Sequence, residues 1–435
     1  MKDYQTQNIR NIAIVGHGGE GKTTLTEALL WTTGAIDRMG RVEDGNTVSD
    51  YDTEEIRRQF SISTSVAPVE WKDKKINFID IPGYFDFIGE MMGPLRIVDA
   101  ALIVVGAVNG LNVGAEKAMA YTSKHSIPRA IFINSMDREN ADYDKVIQQL
   151  GEKYQTAICP VMLPIYENDA FIGFSSLVTG KSYRYLDKFS KEVESTPEMR
   201  ERIEAVWEQV TEAAASADDE LMEKFFGGEP FTTEEIVEGM RKGVKDGLIT
   251  PVFCGSAVNQ QALDMLLYNM HKLLPSPEHN SVLAEDANGE PVELTCAEAA
   301  PTVAYVFKTV ADPFVGKLSY LRVVSGKITA GASLVNARTG ETEKMGKPLT
   351  VLGKKQTEAE SIGAGDIGAV AKLVSAKTGD TLCDPSRVVK LPAPVFPKPS
   401  LFMAVTVAKK GDEGKISSAL ARLMEEDPTL SYLNN

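Results

Sequence analysis

Between residues 11 and 140, short apolar runs (NIAIV, INFID, ALIVV, AIFIN) alternate with helix-like stretches such as Thr23 to Trp31 and Ala115 to His125. Apolar runs of this length, with little polar alternation, suit strands buried on both faces, and their rhythm with helices predicts a mainly parallel sheet with helices on both faces. Between Ala141 and Gly247 the rhythm changes. Strand-like PVMLPI, FIGFSSLV and KSYRYL give way to charged helical segments, Thr196 to Phe226 and Thr232 to Asp246, before the apolar run TPVFCGS returns to the sheet. This reads as a subdomain inserted at about 155–248 of an α/β domain spanning 1–280.

A polar, acidic linker (281–300) follows LLPSPEHN. Short strand-like segments punctuated by glycine turns (TVAYVFKTV, LSYLRVVSG, SLVNA, GAVAKLV) then predict a β-barrel over 301–390. Beyond the hinge LPAPVFPKPS, residues 391–435 hold one predicted strand (LFMAVTVA) and one predicted helix (EGKISSALARLMEED). One strand and one helix cannot bury both faces of a sheet, so Leu401 to Asn435 are expected to pack poorly.

Composition narrows the partners. The 435 residues carry 46 Lys and Arg against 61 Asp and Glu, a net charge of −15, which opposes general affinity for nucleic acid and leaves any RNA to local basic patches; no specific DNA partner is expected. Ala100 to Val108 is too short to span a bilayer and the N-terminus lacks a secretion-signal core, so a cytoplasmic protein with no membrane partner is expected. Four scattered cysteines and four histidines indicate neither a disulfide framework nor a zinc site. A monomer is the default expectation.

The chemistry lies at the strand ends. Gly16, His17, Gly18, Gly19, Glu20, Gly21, Lys22 and Thr23 spell GxxxxGKT between a predicted strand and a predicted helix, with Thr24 next. Small residues let successive N–H groups face phosphates, the helix N-terminus adds its dipole, Lys22 adds a point charge, and Thr23 offers a hydroxyl to Mg²⁺. INFID ends in Asp80 and continues as DIPGY; Asp80 can hold a Mg²⁺-bound water, and the N–H of Gly83 can sense a γ-phosphate. After AIFIN comes NSMD. Its Asp137 carboxylate can accept both the N1–H and the exocyclic amine of guanine, a donor pair adenine lacks, and Asn134 opens the motif. Ser256 and Ala257 are read as adding a backbone N–H toward the guanine carbonyl. GTP or GDP with Mg²⁺ is the ligand these motifs imply.

With these motifs in order, the chain resembles bacterial elongation factor G, most closely its elongation-factor-G-like paralogues. The likeness extends to ELMEKFFGGEP, PVFCGSA, KTVADPFVGKLSYLRVVSG, AGDIGAV with TGDTL, and ALARLMEEDPTL. It implies a GTPase domain with an insertion, a β-barrel second domain, a ferredoxin-like third domain cut short here, and the ribosome as partner. Four departures fall on the chemistry. Tyr84 stands where the family's DxPGH places a water-positioning histidine, and because a phenol keeps its proton at neutral pH, slower hydrolysis is expected. RRQFSIS occupies the family's switch run, putting Ser61 where a threonine would bind Mg²⁺. Ser135 replaces the lysine of NKxD, and Gly19 replaces a P-loop aspartate. The resemblance thus implies a ribosome-associated GTPase in which Lys22, Gly83 and Tyr84 serve hydrolysis. Two other readings are a GTP-binding switch with little turnover, prompted by Tyr84, Ser135 and Gly19, and a metabolic P-loop enzyme, against which the insertion and third-domain segment argue.

Overall fold

The computed structural model describes residues 2–186, 189–312, 315–407, 411 and 413–433. The chain divides into two compact units: Ile12–Tyr84 with Val98–Pro275, and Met1–Asn11 with Phe85–Ile97 and Ser276–Asn435.

The first unit is built on a seven-stranded sheet. Its strands are β1 (Ile9–Gly16), β2 (Ser65–Trp71), β3 (Lys74–Asp80), β4 (Ala100–Gly106), β5 (Arg129–Asn134), β6 (Ile158–Pro160) and, after four strands of the insertion, β11 (Thr250–Cys254). Their order is β2-β3-β1-β4-β5-β11-β6. The pairs β1–β4, β4–β5, β5–β11 and β11–β6 run parallel, whereas β2 pairs antiparallel with β3 at one edge. Side chains throughout Ala100–Val105 and Ala130–Ile133 are fully buried, as sheet strands covered on both faces require. Helices α1 (Lys22–Thr33) and α2 (Thr53–Arg58) follow β1. The chain then leaves this unit after Tyr84 for Phe85–Ile97, which carries the short helix α3 (Gly89–Met92), and returns at Val98. Helices α4 (Val113–Lys124), α5 (Tyr143–Tyr154) and α9 (Leu263–Leu273) complete the α/β layers.

The insertion has its own antiparallel sheet, β7 (Met162–Glu167), β8 (Ala170–Ser176), β9 (Ser182–Leu186) and β10 (Phe189–Val193), in the order β10-β9-β8-β7. It is followed by α6 (Pro197–Ala215), α7 (Asp219–Phe226) and α8 (Thr233–Lys245), whose N-termini are capped by the side chains of Thr196, Asp218 and Thr232.

In the second unit an eight-stranded sheet is centred on Val303–Asp312 and Gly316–Ser325, paired antiparallel. Alternate residues (Ala304 and Val306; Leu321 and Val323) meet Ile328, Leu334, Met345, Ile362, Val370 and Leu382 in one apolar core. Phe85–Ile97 belongs to this unit. Lys308 Nζ pairs with Glu90 Oε2 at 2.8 Å, and the Arg322 guanidinium donates to the carbonyl of Ile97. Helix α10 (Glu413–Glu426) ends with Glu426 Oε1 accepting the Ala311 N–H at 2.6 Å.

One expectation fails here. Residues 401–407 of the predicted strand LFMAVTVA form no strand, and its last residue, Ala408, lies outside the described residues. A strand needs a neighbour to take its N–H and C=O groups; without one the side chains of Leu401, Phe402, Met403 and Val405 stand exposed, Phe402 at 81%. No helix among the described residues is long and apolar enough to cross a membrane. Cys159, Cys254 and Cys383 are buried free thiols.

Candidate functional site

The cleft forms where β1 turns into α1. Gly21 is the N-cap of α1 with φ of 83°, and no side chain caps the helix, so its first-turn N–H groups face outward toward the loop. The handedness of Gly21 leaves no room for substitution, since an added Cβ would lie 2.6 Å from Asn134 Nδ2. Gly19 differs: it also has positive φ, but a Cβ there would meet nothing within 4 Å. Crowding therefore does not explain the absence of a side chain at that position; the backbone conformation does.

Lys22 is buried and its ammonium donates to the His17 carbonyl at 2.7 Å. Burial pushes its pKa down to about 8, opposed by the charges of Asp80, Glu20 and Asp50. Asp80, at the end of β3, is 2% exposed; burial raises it to about 6, with Lys22 opposing. Neither Asp80 oxygen has a hydrogen-bond partner, although the hydroxyls of Thr23 and Ser49 lie near enough to favour its ionised form. Thr23 Oγ1 and Ser61 Oγ are 2.9 Å apart, so the structure brings together these two hydroxyls.

Asp50 completes this group and was not singled out from the sequence. It is 4% exposed and neither oxygen has a hydrogen-bond partner, although the Ser61 hydroxyl lies near enough to favour its ionised form; burial followed by the charge of Asp80 raises it to about 7. Two buried carboxylates without donors, beside two hydroxyls, form an all-oxygen donor set suited to a hard divalent cation such as Mg²⁺. Among the described residues no cluster of three or more His, Cys, Asp or Glu could hold a metal unaided, so such an ion would need further oxygens from a bound phosphate.

The loop carrying these groups is tied down by two buried glutamates. Glu27 in α1 accepts the N–H of Gly40 through Oε1 and that of Val48 through Oε2, each at 2.9 Å. Glu55 forms a capping box with Asp52 at the start of α2, and its Oε1 also accepts the N–H groups of Ile62 and Ser63, fixing the run that holds Ser61. DTEE is a legible capping signal for α2, but it marks Asp52 and Glu55 and does not single out Asp50.

Gly83 is held against the P-loop: a Cβ there would run into Lys22 Nζ, Gly18 N and Gly16 O. Tyr84 is 41% exposed, lies over Gly18, and its ring meets that of Phe60 with centroids 4.8 Å apart and planes inclined at 55°. Gly18, Gly19, Gly21, Lys22, Thr23, Thr24, Asp50, Phe60, Ser61, Gly83 and Tyr84 thus line one cleft, with Val42, Glu43 and Gln59 at its rim.

The second group of sequence candidates sits at the ends of β5 and β11. Asn134 is buried; its Nδ2 donates to the Glu20 carbonyl at 2.9 Å and its Oδ1 accepts the Ala257 N–H at 3.0 Å. Ser135 turns the chain in the left-handed region, φ 63°, and Asp137 is exposed. The Ser256 N–H donates to the Gln261 carbonyl at 3.1 Å. The backbone N–H groups of Ser256 and Ala257, read from the sequence as facing a ligand, therefore both have acceptors inside the protein. Glu20 anchors the P-loop on its other side, accepting from Asn109 Nδ2 at 3.1 Å and Asn112 Nδ2 at 2.9 Å.

Three family models match the chain in succession: Elongation factor Tu GTP binding domain over residues 7–276, Elongation factor G domain 2 over 301–385, and Elongation Factor G, domain III over 396–435. The crystal structure of ttk003000868 from Thermus thermophilus is similar, with a TM-score of 0.87 and 34% identity, covering 98% of this chain and 62% of that one. The present chain thus spans less than two thirds of that protein's length. The first family model alone covers more than half of the residues, and the order of all three matches the order of elements described above: the chain belongs to the elongation factor G family of translational GTPases.

Proposed function

We propose that this chain binds GTP and GDP with Mg²⁺ and hydrolyses GTP in association with the ribosome. The observation that carries the reading is the group of Lys22, Asp50, Asp80 and the Thr23–Ser61 hydroxyl pair at the uncapped N-terminus of α1. Phosphate oxygens take the helix N–H groups and Lys22. Thr23, Ser61 and Asp80 would hold Mg²⁺, with Asp50 adding a second carboxylate beside Asp80. Mg²⁺, when bound, neutralises charge developing on the transferred phosphoryl oxygens. Asn134 braces the P-loop against the Ala257 segment, leaving Asp137 to read guanine; Ala257 acts through Asn134. Gly83 reports the γ-phosphate, and the Tyr84 hydroxyl orients water without removing its proton, which makes turnover slow unless a partner stimulates it.

The same reading takes 1–280 as the GTPase domain with its insertion, 281–300 as linker, 301–390 as the barrel and 391–435 as part of a third domain, in a cytoplasmic monomer. GTP turnover measured with and without ribosomes, beside GTP, GDP and ATP binding at matched Mg²⁺, tests it. Guanine-selective binding with ribosome-stimulated turnover is expected. Selective binding with no turnover under either condition would instead make the chain a GTP-dependent switch.

A further inference from the structure

The edge of the seven-stranded sheet opposite the nucleotide cleft carries two buried polar side chains that take no part in that cleft. Arg129 opens β5, the strand whose last residue is Asn134, and the extended chain between them puts the two about 16 Å apart. Arg129 is 9% exposed, yet among the described residues its guanidinium has neither a hydrogen-bond acceptor nor a carboxylate partner, and its Nε is fully enclosed. Burial pushes its pKa down, opposed only by the phenol of Tyr154 at the end of α5. The parallel register of β11 on β5 pairs Val252 with Ile131, so two residues earlier Thr250 stands beside Arg129 with its side chain on the same face. Thr250 is 0% exposed, and its Oγ1 also lacks a partner. The register neighbours on either side of this pair are Ala101 and Ile158, which supply no side-chain acceptor.

Guanidinium and hydroxyl can both donate, and what the pair lacks is an acceptor carrying negative charge. The planar fork of an arginine matches two oxygens of one oxyanion, and a neighbouring hydroxyl adds a third donor. A buried cation without a counter-charge is costly, which favours an anion here even though the net charge of the chain, −15, repels anions in general. We propose that Arg129 and Thr250 form a small-oxyanion site at the amino ends of β5 and β11, taking a free phosphate- or carboxylate-type ion on the Nε–Nη edge of the guanidinium and the Thr250 hydroxyl. Because so little of Arg129 is exposed, the fork is reached by a small ion and not by the surface of a folded partner. The site is independent of what the P-loop binds.

The test uses the full chain with isotope-labelled arginine. The Arg129 Nε–H resonance is assigned by its absence from Arg129→Lys or Arg129→Gln and followed while inorganic phosphate and, separately, acetate are titrated at constant ionic strength. A saturable shift is expected with at least one of them, and the better ligand tells a tetrahedral from a planar ion. Thr250→Val, nearly the same shape without the hydroxyl, is expected to raise the half-saturating concentration about tenfold. Lys22→Met, which removes the cation of the nucleotide cleft, is expected to leave the shift in place. A resonance that answers neither ion would overturn the site, and so would a shift abolished by Lys22→Met, which would put the ion in the nucleotide cleft. Saturation unchanged in Thr250→Val would overturn the part given to Thr250.

Discussion

The two ends of the candidate site are built on opposite plans. At the phosphate end Lys22, Asp50 and Asp80 are buried with their charges incompletely met, and both carboxylates lack donors. At the base end the hydrogen bonds are already closed: Asn134 is engaged through both side-chain atoms, and the N–H groups of Ser256 and Ala257 have acceptors. Buried unpaired charge is costly, so under the proposed function the first end would be stabilised by what it binds, whereas the second has its hydrogen bonds satisfied within the protein. Affinity should therefore depend on the first end and selectivity on the second.

The largest effect expected to sharpen this contrast comes from Lys22→Met. Calorimetry should show GTP affinity reduced by about a hundredfold or more, since a buried charge partner is lost, with guanine-over-adenine preference unchanged among whatever binding remains. Asp137→Ala should do the reverse. Competition between GTP and ATP is expected to show the guanine preference falling by about tenfold to a hundredfold, with loss confined to guanine nucleotides; equal loss for both would break the assignment of Asp137 to the base. Asp80→Asn should raise the Mg²⁺ concentration needed for half-maximal nucleotide binding by about tenfold, and Asp50→Asn by less, because each leaves the other carboxylate in place.

The smallest effect is one of pH on the nucleotide-free chain. The folded pKa values of Asp80 and Asp50 are raised to about 6 and about 7, so the folded chain binds more protons than the unfolded one above pH 4. Their contribution to stability is present at low pH and is lost as pH rises through 6 and 7. Lys22, lowered to about 8, has the opposite sign: the unfolded chain holds more protons above pH 8, so this contribution recovers between there and the ordinary lysine range. The three groups together place a minimum near pH 7 to 8. Thermal melts from pH 5 to 8 should show their contribution as a fall of a few degrees, and Mg²⁺ with GDP should reduce it by giving the carboxylates a cation; an identical fall with and without ligand would contradict the role given to Asp50 and Asp80.

The legibility of the molecule follows the same division between local and distant causes. GxxxxGKT, DIPG and NSMD could be read directly because each is a strand end whose backbone is set by neighbours in sequence, and the apolar runs of β1, β3, β4 and β5 announce burial on both faces. Asp50 could not be read this way. An acid in an irregular polar loop looks solvated, and it faces inward here because Glu27 and Glu55, 23 residues before it and five after it, take backbone N–H groups along the loop. The antiparallel edge strand β2 was similarly hidden, its sequence SVAPVEW carrying a proline that an edge tolerates but a sequence pattern discounts. The predicted strand at Leu401 shows the converse case, an apolar segment with strand propensity that has no neighbour to pair with.

The hold of Glu27 on the loop has a consequence for how the protein can change. Both of its contacts reach backbone N–H groups, at Gly40 and Val48, and so are indifferent to the side chains between them. Arg41, Glu43 and Asp44 are exposed, and Val42 and Glu43 line the cleft rim. The rim can thus be rewritten without rerouting the chain. A lineage that keeps one glutamate in α1 is free to explore what enters the cleft, and a library randomised at 41–44 should be rich in folded variants, while one randomised at 27 should not.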